Sequence, residues 1–107
     1  MLPKRERLSV KDIATLSSGR SVFGSLLSLR FLSAKETKFS VSVSKKVAKL
    51  AVDRNRIRRR VYAATRTVKS LVTKPYSIMI MPKKECMTAP LADIQNEMEA
   101  LFRKALK

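Results

Sequence analysis

Between residues 39 and 44 the chain alternates without a break. Phe39, Val41 and Val43 share one parity, and Ser40, Ser42 and Ser44 share the other. A period of two predicts a strand with one packed face and one open face, the open one small and polar. A second strand is expected over residues 26–32, after Gly24 and Ser25, with the polar segment 34–38 read as a hairpin connection between the two. From residue 54 to residue 72 the period changes: Ile57, Val61, Ala64, Val68, Leu71 and Val72 form one helical stripe. Pro75 ends that helix, residues 76–81 read as a third strand, and Pro82 closes it. Pro90 suits the first turn of a last helix whose inner side carries Leu91, Ile94, Met98, Leu101, Phe102 and Ala105.

A further short helix is expected over residues 10–18. Ser9 can cap it, Asp12 takes the capping-box position, and Leu8 with Ile13 makes a hydrophobic staple. The predicted order is α-β-β-α-β-α, an α+β fold in which a small sheet is packed by helices as a two-layer α/β sandwich. At 107 residues the chain suits a single domain spanning residues 1–107.

Charge then narrows the class. Residues 45–60, KKVAKLAVDRNRIRRR, hold eight of the 24 Lys and Arg residues and one acid, Asp53, within a total net charge of +16. A solvated helix face ordinarily interleaves acids for (i, i+4) pairing. Unpaired cations at this density repel one another unless a polyanion compensates, and nucleic acid does so with counterion release. With 45% apolar residues the chain is nevertheless a folded domain and not a basic tail. There is no histidine, so the commonest general base and zinc ligand are both missing. The eight acids are scattered, which argues against a self-sufficient nuclease with clustered carboxylates. Cys86 is the single cysteine, residues 1–8 carry no apolar signal stretch, and residues 78–81 are too short to span a bilayer, so a cytoplasmic location and no membrane are expected.

The residues around the basic run carry a resemblance. Val41-Ser42-Val43-Ser44-Lys45-Lys46, a short connector, and then Arg54-Asn55-Arg56-Ile57-Arg58-Arg59 closely resemble the protein component family of bacterial ribonuclease P. Lys4-Arg5-Glu6-Arg7-Leu8, the strand from Tyr76, and Leu101-Phe102-Arg103-Lys104 also sit where that family has counterparts, so the resemblance covers nearly the whole chain. It implies an RNA-binding, tRNA-binding subunit of a ribonucleoprotein endonuclease, a hydrolase whose chemistry is carried by the RNA subunit. That RNA uses Mg²⁺, bound mainly by itself, to remove the 5′ leader of precursor tRNA, and the protein lowers the Mg²⁺ requirement. The implied partners are the ribonuclease P RNA subunit and precursor tRNA, with no obligate protein partner. The implied fold includes a left-handed β-α-β crossover, against the usual right-handed preference.

Carried over by residue, Arg54, Asn55, Arg56, Arg58, Arg59 and Arg60 are the expected RNA-subunit-binding group, where guanidinium forks suit phosphate. Asn55 has two available roles, helix capping (the favoured one) and hydrogen bonding to RNA. Ser40, Ser42, Ser44, Lys45 and Lys46 are the expected binding group for the single-stranded leader, with hydroxyls that bond without sequence preference. No catalytic residue and no protein-held metal is expected. Two departures stand out. Tyr62 replaces an arginine of the family pattern, with both stacking on RNA and covering the sheet edge open to it. The expected first helix also has no aromatic residue for the RNA cleft. A structural RNA-binding protein is the main alternative, disfavoured by the Lys-Lys to Arg-Asn-Arg spacing; a leucine-zipper DNA binder fails because Pro75 leaves no room for heptads. The methionines, Met79, Met81 and Met98 among them, read as core filler.

Overall fold

A computed structural model describes residues 19–105. The helix expected over residues 10–18, with its Ser9 cap, lies outside the described residues. Six main elements follow in order: β1 (Arg20–Phe23), β2 (Leu27–Ser33), β3 (Lys38–Val41), α1 (Ala51–Val68), β4 (Tyr76–Pro82) and α2 (Leu91–Ala105), with short 3₁₀ turns at Lys69–Leu71 and Lys84–Met87. The sheet has four strands in the order β1-β2-β4-β3.

This topology corrects the hairpin expected between β2 and β3. The two strands are not neighbours: β4 lies between them, antiparallel to β2 and parallel to β3. Residues 34–37 lack the glycine or asparagine that a tight turn requires. Their bonds lead elsewhere, to the segment entering β4: the Ala34 amide donates to the Pro75 carbonyl at 3.1 Å and the Thr37 hydroxyl to the Lys74 carbonyl at 3.4 Å. Because β3 and β4 run parallel, the chain needs a long crossover between them, and α1 supplies it. A period-two pattern shows which face of a strand is packed but not which strand lies beside it, so the sequence alone permitted the wrong pairing. β1 was also missed, being four residues long with Val22 its one apolar residue on the packed side.

Both helices cover one face of the sheet. Leu27, Leu29, Ile78 and Ile80 from the sheet meet Ile57 and Val61 of α1 and Ile94, Met98 and Phe102 of α2, all of them buried. At about 1.5–3 kcal/mol for each large apolar side chain removed from water, this layer supplies the main folding drive. Phe39 belongs to it as expected, stacking on Phe102 with ring centroids 6.3 Å apart. Thr65 is buried in the same layer, its hydroxyl satisfied by the Val61 carbonyl at 2.9 Å, one helical turn back. Met98 is core, whereas Met79 and Met81 lie half-buried on the opposite face of the sheet, which corrects their reading as filler.

Candidate nucleic-acid interface

The helix that bears the arginines begins three residues earlier than its apolar stripe indicated, because Ala51, Val52 and Asp53 extend it toward the preceding turn. Leu50 occupies the cap position and gives no side-chain hydrogen bond. Asn55 therefore stands one turn inside α1, and the capping role is overturned. Its Oδ1 instead accepts from the Arg58 guanidinium.

The six residues of the expected RNA-subunit group divide by direction. At 100° per residue, Arg56, Arg59 and Arg66 lie on the side of α1 opposite Ile57, Val61 and Val68. All three are exposed, and the one acid of α1 is Asp53, a turn before Arg56. Arg58 is half-buried beside Asn55. Arg54 and Arg60 turn back onto the protein. Arg54 donates to the carbonyls of Ala48 at 3.0 Å and Lys49 at 2.8 Å, fastening the turn before the helix. Arg60 donates through Nε to the Cys86 carbonyl at 3.0 Å and through its terminal nitrogen to the Ala89 carbonyl. Tyr62 is buried, and its hydroxyl accepts the Val41 amide of edge strand β3 at 3.3 Å. Of its two open roles, the structure shows the covering one.

The leader group sits at the other layer. Cross-strand register makes the sheet face that neither α1 nor α2 covers a grid. Phe23, Ser28 and Met81 form one row, which Ser42 extends beyond the end of β3. Ser21, Arg30, Met79 and Ser40 form the next, and Leu32, Ser77 and Lys38 the third. No acid occurs in the grid. Ser40 is half-buried and Ser42 exposed. Ser44 lies past the strand end, where its carbonyl accepts from the Val47 and Ala48 amides and starts the turn that displays Lys45 and Lys46. Arg30 and Phe23 escaped the sequence reading. Parity opposite to that of Leu27, Leu29 and Phe31 would have placed Arg30 on the open side; nothing would have placed Phe23 without β1.

Because α1 packs on the covered face, its arginine ridge and the open sheet face look in opposite directions. The turn with Lys45 and Lys46 connects the end of β3 to the start of α1 and so links the two layers.

One end of the grid is held by an unforeseen polar cluster. Glu97 of α2 accepts the amides of Ser25, Leu26 and Leu27 at 2.7–2.9 Å and the Ser25 hydroxyl at 2.6 Å. Partial burial pushes its carboxyl upward, but these donors outweigh it and leave the group below the ordinary value. Gly24 fits this turn because a Cβ there would stand 2.9 Å from the Glu97 carboxyl carbon. Lys83 reaches the Gly24 carbonyl at 2.9 Å, and the Cys86 thiol reaches that of Leu26 at 3.1 Å. Burial pushes the Cys86 thiol up, so it remains protonated.

Fold and surface together define an α+β protein with an exposed arginine ridge on one helix and a serine-bearing face on its sheet. Comparison with known proteins gives the family: the ribonuclease P family model matches residues 2–106, and the chain belongs to that family of ribonuclease subunits. It is 32% identical over 108 residues to the ribonuclease P protein component of a Picosynechococcus species, spanning 97% of this chain and 93% of that one. The Thermotoga maritima RNase P protein superposes with a TM-score of 0.81 at 21% identity, over 94% of this chain and 97% of that one. The Staphylococcus aureus RNase P protein gives 0.77 at 24% identity, over 94% of each chain. No helix among the described residues is long and apolar enough to cross a membrane.

Proposed function

We propose that this chain assists a catalytic ribonuclease P RNA in removing the 5′ leader from precursor tRNA, binding the leader itself and lowering the Mg²⁺ requirement. The carrying observation is an opposed pair of surfaces, an arginine ridge on α1 and a sheet face on which the described residues place no acid. A protein with both can hold the RNA subunit on the Arg56–Arg59 ridge of α1 while a single strand crosses the serine-bearing sheet face. Arginine forks suit the phosphates of a folded RNA. Small hydroxyls suit an unpaired strand of any sequence. Lys45 and Lys46 add positive charge where the two would approach each other.

In this reading Mg²⁺ is held mainly by the RNA subunit. The described residues of this chain offer no group of three or more His, Cys, Asp or Glu side chains to ligate it. The protein's contribution is fixed positive charge, which offsets phosphate repulsion that added Mg²⁺ would otherwise screen.

The test is cleavage of a 5′-extended precursor tRNA by a bacterial ribonuclease P RNA at low Mg²⁺, with and without this chain. Cleavage is expected only when both are present. The same cleavage by protein and metal without the RNA would overturn the reading.

A further inference from the structure

Phe23 is 76% exposed at the end of β1, on the open face of the sheet. A lone apolar side chain on a surface is ordinary, but three circumstances distinguish this one. It begins the row completed by Ser28, Met81 and Ser42, so its ring borders the acid-free grid. Arg30, whose Nε bonds the Ser21 hydroxyl at 3.2 Å, stands in the adjoining row. The turn immediately after Phe23 is fixed by the four hydrogen bonds to Glu97 and the Lys83 contact to Gly24, so the backbone that carries the ring is preorganised.

We infer that Phe23 is a stacking platform for one unpaired leader base, at the far end of the track from Ser42. The inference rests on the leader reading above and adds a residue and a contact to it. An exposed aromatic ring beside a cation on an acid-free face fits a nucleic-acid strand, since every base has a π-face while the phosphates meet positive charge. Three inter-strand spacings separate Phe23 from Ser42, about 14 Å. That equals about four nucleotides at stacked spacing. The platform therefore serves one position in a leader, and shorter leaders do not reach it.

The experiment uses holoenzyme reconstituted from the full chain and a bacterial ribonuclease P RNA. Dissociation constants are measured for precursor tRNAs with leaders lengthened one nucleotide at a time, and with a single abasic site at each leader position. Wild type, Phe23→Ala, Phe23→Tyr and Ser42→Glu are compared, and sedimentation of each protein records self-association. Wild type and Phe23→Tyr are expected to gain roughly tenfold in affinity at one leader length, the scale of one base–aromatic stack, and Phe23→Ala to lack that gain. An abasic site at the same position should weaken wild type and leave Phe23→Ala unaffected. If Phe23→Ala follows wild type at every length while Ser42→Glu still discriminates against the leader, the platform is overturned and the leader track stands. If no variant and no leader length alters affinity, both fall. Equal weakening for leader-bearing and mature tRNA, or loss of self-association with leader affinity unchanged, would assign the ring to another partner and overturn the inference.

Discussion

Glu97 and Ser25, 72 positions apart in sequence, are joined twice: one carboxylate oxygen accepts both the Ser25 amide at 2.9 Å and its hydroxyl at 2.6 Å. The other oxygen holds the amides of Leu26 and Leu27 at 2.7 and 2.8 Å. One side chain of the last helix thus satisfies four donors of the β1–β2 turn and fixes an edge of the sheet face that the proposed function uses.

Replacing Glu97 with Ala should therefore destabilise the fold by about 1–3 kcal/mol, because the turn amides lose their acceptor. Since the turn is partly open to water, which can re-satisfy these amides, the lower half of that range is expected. The pH dependence has a definite sign. The folded carboxyl titrates below its unfolded value, so between the two values the unfolded chain binds more protons and stability rises with pH. The Glu97 contribution is complete above the unfolded value and disappears as pH falls through the folded one. Denaturant unfolding of wild type and Glu97→Gln across the acid range checks this; a difference that does not shrink on acidification refutes the assignment.

Arg60 and Arg59, adjacent in sequence, should behave differently on substitution. Arg56 and Arg59 point away from the protein, so Ala at either position should weaken docking to the RNA subunit. Each lost phosphate contact should flatten the log K against log salt slope by roughly 0.7–0.9, with thermal stability little changed. Arg60 donates to the Cys86 and Ala89 carbonyls. Arg60→Ala should instead lower stability by about 1–3 kcal/mol and leave the slope near wild type. Filter binding over a salt series, paired with thermal melts, separates the two; a slope change for Arg60→Ala equal to that for Arg59→Ala would contradict the division.

The difference between those two arginines also marks what the sequence could reveal. Charge density and the Arg-Asn-Arg run pointed to the basic helix, and helical periodicity identified Ile57, Val61, Ala64 and Val68 as packed; it missed the buried Tyr62 and Thr65, and Leu71 and Val72 of the expected stripe lie half-buried beyond the end of α1. Neither could tell that Arg60 would meet carbonyls 26 and 29 residues onward, since those contacts exist only once the 3₁₀ turn near Cys86 is docked. The serine parity of residues 39–44 correctly separated Phe39 and Val41 from Ser40 and Ser42, because strand alternation is local. Strand adjacency is not local. β4 entered between β2 and β3, which hid the cross-strand neighbours of Arg30, and β1 was too short and too weakly patterned to register, which hid Phe23. Asn55 looked like a cap because the stripe first becomes apolar after it, while the helix actually starts with Ala51, Val52 and Asp53, of which Val52 is exposed and contributes nothing to the stripe.

Cys86 is fully buried, donates to the Leu26 carbonyl, and has its thiol pushed up by burial. Reaction requires the thiolate and an open path to it. Disulfide exchange with an aromatic disulfide reagent near pH 8 should therefore be slow in the native protein and fast in denaturant. Rapid stoichiometric labelling under native conditions would show that the 3₁₀ turn at Lys84–Met87 opens readily.

Ser42 gives the most direct test of the leader track. It is exposed beside Met81, directly after β3, and its amide still donates to the Ile80 carbonyl at 2.9 Å. That bond belongs to the backbone and survives substitution, while the buried Val41 and Val43 on either side keep their packing. Ser42→Glu adds bulk and a negative charge to a face that otherwise has no acid, so it should repel the phosphates of a strand lying there. Arg56 and Arg59, on the opposite layer, are untouched, and docking to the RNA subunit should persist. The expected outcome is selective: precursor tRNA with a leader of several nucleotides should bind the holoenzyme more weakly, whereas mature tRNA, which has no leader to clash, should bind almost as before. A loss of about 1 kcal/mol or more, roughly fivefold in the ratio of the two dissociation constants, corresponds to one like-charge approach on a partly screened surface. The ratio is measured at fixed salt and Mg²⁺ for wild type and mutant, with circular dichroism and RNA-subunit binding confirming that the mutant is folded and docked. An unchanged ratio under those conditions means that the leader does not cross this face of the sheet.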